Sequence, residues 1–210
     1  MGVGIKMNFE QQINEFEKNN KLQHYLIKEG KIPVMLTAVH TIRQEKSEYV
    51  KPSEPYTSAI CQYVGNEIDG SYFIKAIDTG IDTNSIIIDE FKQRLLKMIL
   101  DNNIKLLIDL HGASETRDFD VEIGTLNNLS ADHSTIKTLI DCFKNNGINQ
   151  VAINNPFIGG GVTRYIYENT DIDVIQLEIN HRYRDINNLG ECQKVCDALT
   201  EFIIKYNMSR

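Results

Sequence analysis

Two short apolar runs end on histidines: Ile32 to Val39 leads into His40, and Lys105 to Leu110 leads into His111. Runs of this length, rich in branched residues, are too short for buried helices and read as strands buried on both faces. Such strands need helices over both sides of their sheet. Helical spacing predicts helices over 56–67, 84–102, 134–146 and 189–206, and further strands over 71–77, 119–124, 150–154 and 173–180. At the start, Ile13, Phe16, Leu22 and Leu26 recur at helical intervals, which predicts a surface helix over about 8–29, stopped by Gly30. Strands alternating with helices imply an α/β fold: a single domain over 1–210, with a mixed, mostly parallel sheet flanked by helices on both faces. No internal repeat or Pro/Ser-rich linker divides the chain.

Charge narrows the partners. With 22 Lys+Arg against 29 Asp+Glu the net charge is −7, so no basic stripe is available to neutralise phosphates and a nucleic-acid partner is not expected. No apolar run approaches the roughly 20 residues that span a bilayer, and Met1 to Glu10 has no signal-peptide core. These readings leave a cytoplasmic enzyme or binding domain. Cys61, Cys142, Cys192 and Cys196 are scattered, and the Cys192/Cys196 spacing is not that of a zinc knuckle, so buried thiols are expected.

Polar residues interrupt the buried strands at defined places. Side chains alternate along 105–111, so Leu106, Ile108 and Leu110 share one face while Leu107, Asp109 and His111 share the other. A buried Asp and His two apart are costly unless partnered. Asp109 can accept from the His111 ring and fix its tautomer, as the carboxylate behind a metal-ligating histidine does; an ion pair at the strand's exposed end is the alternative. His40 closes its strand in the same way, at the carboxyl edge where open α/β sheets bind ligands. In 173–180, Ile175, Leu177 and Ile179 oppose Gln176, Glu178 and Asn180. That pattern fits either a half-solvated antiparallel strand or a line of polar groups with Glu178 able to take a proton from water. Gly159, Gly160 and Gly161 precede Arg164; their backbone N–H groups could line an anion pocket, or they form a plain turn.

Taken together, four blocks in order resemble the N-formylglutamate amidohydrolase family, zinc hydrolases related in fold to metallocarboxypeptidases: PVMLTAVH (33–40), IDLHG with FDVEIGT (108–112 and 119–125), NPFIGGGVTRYI (155–166) and IQLEINHRYR (175–184). The resemblance implies one zinc ion held by His40, His111 and a carboxylate. Glu54, in a Glu-x-x-Thr pattern with Pro55 at a helix start, is the preferred third ligand, and Glu45 is the alternative. Three protein ligands leave a fourth position open, as catalytic zinc sites do. By the same resemblance Glu178 is the general base and Arg164 holds a substrate carboxylate. Gly160, Gly161, Asn180, Arg182 and Arg43 are further substrate-binding candidates, and Asp109 stands behind the metal ligands. The implied reaction is hydrolysis of an N-acyl amino acid, N-formylglutamate to formate and glutamate. Val39 stands where the family has Pro, and the chain is on the short side, which widens the substrate to other N-acyl amino acids or short peptides. A metallocarboxypeptidase-like hydrolase of peptide or cell-wall amides, and a non-catalytic binding module on the same fold, are the alternatives.

Overall fold

The computed structural model describes residues 8–19, 24–45 and 50–209. Its strands are β1 (Tyr25–Lys28), β2 (Ile32–Ala38), β3 (Gln44–Glu45), β4 (Val50–Lys51), β5 (Gly70–Lys75), β6 (Leu106–Ala113), β7 (Val121–Gly124), β8 (Val151–Ile153) and β9 (Asp173–Asn180). Its α-helices are α1 (Phe9–Asn19), α2 (Thr57–Glu67), α3 (Glu90–Asp101), α4 (His133–Asn145), α5 (Gly161–Asn169) and α6 (Leu189–Met208). Seven strands form one sheet in the order β1-β5-β2-β6-β9-β7-β8, and β3 and β4 form a separate pair. Neighbours among β5, β2, β6 and β9 run parallel; β1 is antiparallel to β5, and β7 is antiparallel to β9 while parallel to β8.

The two histidine-ended runs became adjacent central strands, with Val34 opposite Leu106 and Thr37 opposite Asp109. The chain leaves β2 for β5 on one side and later places β6 on the other. This reversal of strand order opens a crevice at the carboxyl ends of β2 and β6, where ligands bind in open α/β sheets.

Period-two alternation divides the core into two layers. Leu106, Ile108, Leu110, Ile175, Leu177 and Ile179 pack with residues of α2, α4 and α6. On the opposite face Met35, Leu107 and Val174 pack with Phe91, Leu95 and Ile99 of α3 and Val162 and Ile166 of α5. All eight residues of β9 are buried and both its edges are paired, which removes the half-solvated strand as a reading.

Three local expectations are corrected. The first helix ends at Asn19, and Tyr25–Lys28 is a strand whose Leu26 is buried while Ile27 is exposed, the alternation of a sheet edge; residues 20–23 of the expected helix lie outside the described residues. The helix expected from residue 84 begins at Glu90, because Asp89 caps it by accepting from Lys92 N–H at 3.0 Å. Residues 84–88 are loop, pinned by the buried Lys92, whose Nζ donates to Ser85 O at 2.7 Å. Finally, the glycine cluster opens a helix, α5, that the sequence had not suggested. The four cysteines are free and buried, as expected.

Candidate active site

Both histidines sit at the carboxyl edge, and each ring is held from behind. His40 Nε2 lies 2.8 Å from Asp82 Oδ1, and His111 Nε2 lies 3.0 Å from Asp109 Oδ2. A ring whose Nε2–H is given to a carboxylate keeps its Nδ1 lone pair free. The two Nδ1 atoms point at one another, 3.1 Å apart. Glu54 completes the group, with Oε1 3.0 Å from His40 Nδ1 and Oε2 3.4 Å from His111 Nδ1. One donor atom from each of His40, Glu54 and His111 fits within 4.8 Å. Two lone pairs and a carboxylate facing one centre repel unless a cation or a proton lies between them, so the donor set fits a metal ion.

Glu54 reaches this point through the loop before α2. Its backbone N–H donates to His40 O at 2.7 Å, its carbonyl accepts from Thr57 Oγ1 at 2.8 Å, and its Oε2 accepts from Gly112 N–H at 2.9 Å. The helix starts two residues later than the Pro55 expectation, because Tyr56 takes a left-handed conformation (φ 66°) before Thr57. Burial works to raise the pKa of Glu54, but the hydrogen bonds and charges of His111 and His40 hold it well below the usual carboxylate range. Burial likewise opposes the charge on His111, yet Asp109 and Glu54 together lift its pKa well above the ordinary value. Glu45 lies exposed on the surface beside Arg43 and takes no part in this group.

Glu178 stands beside His111 in the sheet register and faces the same cavity. It is only 8% exposed. Burial pushes its carboxyl up to about 7, with the charge of Glu54 adding to the rise and that of His111 opposing it. The amide of Gln176 donates to its Oε1 at 3.0 Å. The cavity, about 430 Å³, is lined by His40, Glu54, His111 and Glu178, with Lys51, Asn84, Arg117 and Gln176 around them and the 156–160 loop as one wall.

The other predicted binding residues divide. Gly160 lines the cavity, but its N–H donates to Gln176 Oε1 at 2.7 Å and that of Gly161 to Asn84 O at 2.8 Å. Those two N–H groups therefore tie the wall down and line no anion pocket. A Cβ on Gly161 would lie 1.8 Å from Ser85 O, so this close approach requires glycine. Asn180 is buried and donates to the carbonyls of Arg117 and Phe119 at 3.3 and 2.9 Å, which fixes the loop after β6. Arg182 pairs with Asp120, Arg43 with Glu45, and Arg164 with Glu168, and none of these arginines lines the cavity. Arg164 fails to reach it through helix phase: Val162 and Ile166 bury one face of α5, and a residue midway between them points outward with a side chain 52% exposed.

Sequence reasoning missed Asp82, Lys51, Asn84 and Arg117. Asp82 and Asn84 lie in the loop leaving β5, and Arg117 in the loop leaving β6, both at the carboxyl edge that His40 and His111 mark. Their position on that edge was the available signal.

The family-model match and the amidase-type fold together support a class, a hydrolase acting on amide C–N bonds. Within it, the resemblance carried by the motifs holds: the family model described as N-formylglutamate amidohydrolase matches residues 90–183, a span that includes His111 and Glu178 but not His40 or Glu54. The fold is similar to that of the N-formylglutamate amidohydrolase from Ralstonia eutropha JMP134, at 12% identity over 88% of this chain and 97% of that one, with a TM-score of 0.68. It is also similar to a bacteriophage poly-gamma-glutamate hydrolase (14% identity, 89% and 90% covered, TM-score 0.58). A third similar structure is the zinc-free apo form of YNDL (19% identity, 92% and 96% covered, TM-score 0.57). At these identities the likeness is one of fold. No curated protein sequence matches the chain.

Proposed function

We propose that the chain is a zinc-dependent amidohydrolase of N-acyl amino acids, with N-formylglutamate, cleaved to formate and glutamate, as the first substrate to test. The observation that carries this reading is the approach of the two Nδ1 atoms to 3.1 Å with Glu54 bridging them and Glu178 in the same cavity. His40, His111 and Glu54 would hold the ion, a set of two nitrogens and one carboxylate that leaves a position open for chemistry. Bound zinc supplies Lewis acidity, acidifying a water and polarising the scissile carbonyl.

The protein's own groups do the rest. Asp82 and Asp109 hold the two rings in the tautomer that presents Nδ1. Glu178, with its carboxyl near 7, takes the proton of the attacking water and gives it to the departing nitrogen, a task for which a pKa near the working pH is best. Gln176 holds the Glu178 carboxyl in place. A glutamyl substrate is supported by the names of two similar folds, the N-formylglutamate amidohydrolase and the poly-gamma-glutamate hydrolase. The second of these also favours a γ-glutamyl or peptide amide as the competing substrate. The test is a panel of N-formylglutamate, other N-acyl amino acids and γ-glutamyl peptides, each with and without chelator. Zinc-dependent deformylation supports the reading, peptide cleavage without deformylation selects the alternative, and hydrolysis unaffected by chelation contradicts both.

A further inference from the structure

Arg164 is directed away from the cavity, so a carboxylate-bearing substrate needs another cation. Two line the cavity besides the histidines, Lys51 and Arg117. Lys51 is already engaged, its Nζ 3.7 Å from Asp82 Oδ2. The guanidinium of Arg117 has no carboxylate within ion-pair distance among the described residues. Arg43, Arg94, Arg164 and Arg182 each pair with an acid, and Arg184 donates to the carbonyls of Ile179, Pro55 and Ala113.

Arg117 is also held in place. Its backbone N–H donates to Ser114 O at 3.2 Å, and its carbonyl accepts from the buried Asn180 amide at 3.3 Å. The guanidinium lies 5.0 Å from the centroid of the Phe157 ring, over its face. Phe157 stands edge-on to Phe119, with ring centroids 6.4 Å apart, and its N–H donates to the buried carboxylate of Glu122 at 2.7 Å. An aromatic shelf of this kind leaves the edge of a guanidinium free to take two carboxylate oxygens at once. Ordering the long side chain in advance also lowers the entropy lost on binding.

We infer that Arg117, lying over the Phe157 ring at the rim of the cavity, is the specificity residue that receives a carboxylate of the substrate. The inference rests on the amide-hydrolase reading above and assigns to Arg117 the part that the motif resemblance gave to Arg164.

The test compares wild type, Arg117→Ala, Arg117→Lys and Arg164→Ala, first by calorimetric binding of free glutamate and of glutamate diamide, then by kcat and KM on N-formylglutamate and its diamide. Loss of one charge-assisted contact corresponds to about a 30-fold effect. Arg117→Ala should bind glutamate about 30-fold more weakly and show a higher KM on N-formylglutamate, with diamide kinetics unchanged. Arg117→Lys should recover part of the loss, and Arg164→Ala should match wild type. Wild-type protein that does not distinguish glutamate from its diamide overturns the inference, as does an Arg117→Ala that loses activity equally on both substrates or changes neither. The binding arm separates the two claims: an Arg117-dependent preference for glutamate without hydrolysis would leave this inference standing and refute the proposed reaction.

Discussion

Replacing Glu178 by Gln should remove activity and stabilise the fold. An unfolded glutamate titrates near 4.5, and the buried Glu178 near 7. Between these values the native chain keeps a proton that the unfolded chain has released, so the native state loses stability as pH rises through the window. At about 1.36 kcal/mol per pH unit, the ionised carboxylate costs the fold about 3 kcal/mol above pH 7, and almost nothing below pH 4. Gln has nearly the same shape, keeps an acceptor for the Gln176 amide, and never ionises. Urea unfolding of metal-free wild type and Glu178→Gln at pH 4 and pH 8 measures the difference directly. Chelator is needed because a bound cation would itself favour the ionised form. The variant should gain about 3 kcal/mol at pH 8 and match wild type at pH 4, while amide hydrolysis falls by about 10²–10⁴. Equal or lower stability of the variant at pH 8 would show that the carboxylate is not desolvated, and the case for it as a tuned proton acceptor would fail.

Other outcomes follow from the same geometry. Asp82→Asn and Asp109→Asn should each weaken zinc binding by about 10–100-fold in competition with a chromophoric chelator, with unchanged circular dichroism; unaltered affinity would remove the carboxylates from their role behind the rings. Gly161→Ala places a Cβ 1.8 Å from Ser85 O, so thermal unfolding should show a loss of about 1–3 kcal/mol. A neutral result there would mean that the 84–85 loop is free to move off the start of α5.

What could be read from the sequence was whatever depends on local pattern. The eight residues of β9 alternate so regularly that the predicted and observed bounds coincide at 173–180. The histidine-ended runs were legible as central strands because nothing else buries apolar stretches of that length. Mistakes arose where two periods overlap or where phase decides. Leu22 and Leu26 are spaced as on a helix, but the second belongs to an edge strand of four residues. The run Ile86-Ile87-Ile88 extended an apparent helix backward from α3, whereas its three side chains are exposed in the loop that carries Asp82 and Asn84. Arg164 sits beside the right glycines, but the phase of α5 turns it to solvent. Asp82 is 42 residues from the ring it holds, and no local pattern connects them. Only the sheet, which brings the ends of β2 and β5 side by side, supplies that link.

The proposed chemistry requires His40, Glu54 and His111 to share one ion. Elemental analysis of protein purified without added metal, for wild type and His40→Ala side by side, tests this most directly. About one zinc per chain in the wild type and almost none in the variant is the predicted result. A wild type without stoichiometric divalent metal that also fails to take up zinc on titration, or a variant that retains the full content, would contradict it.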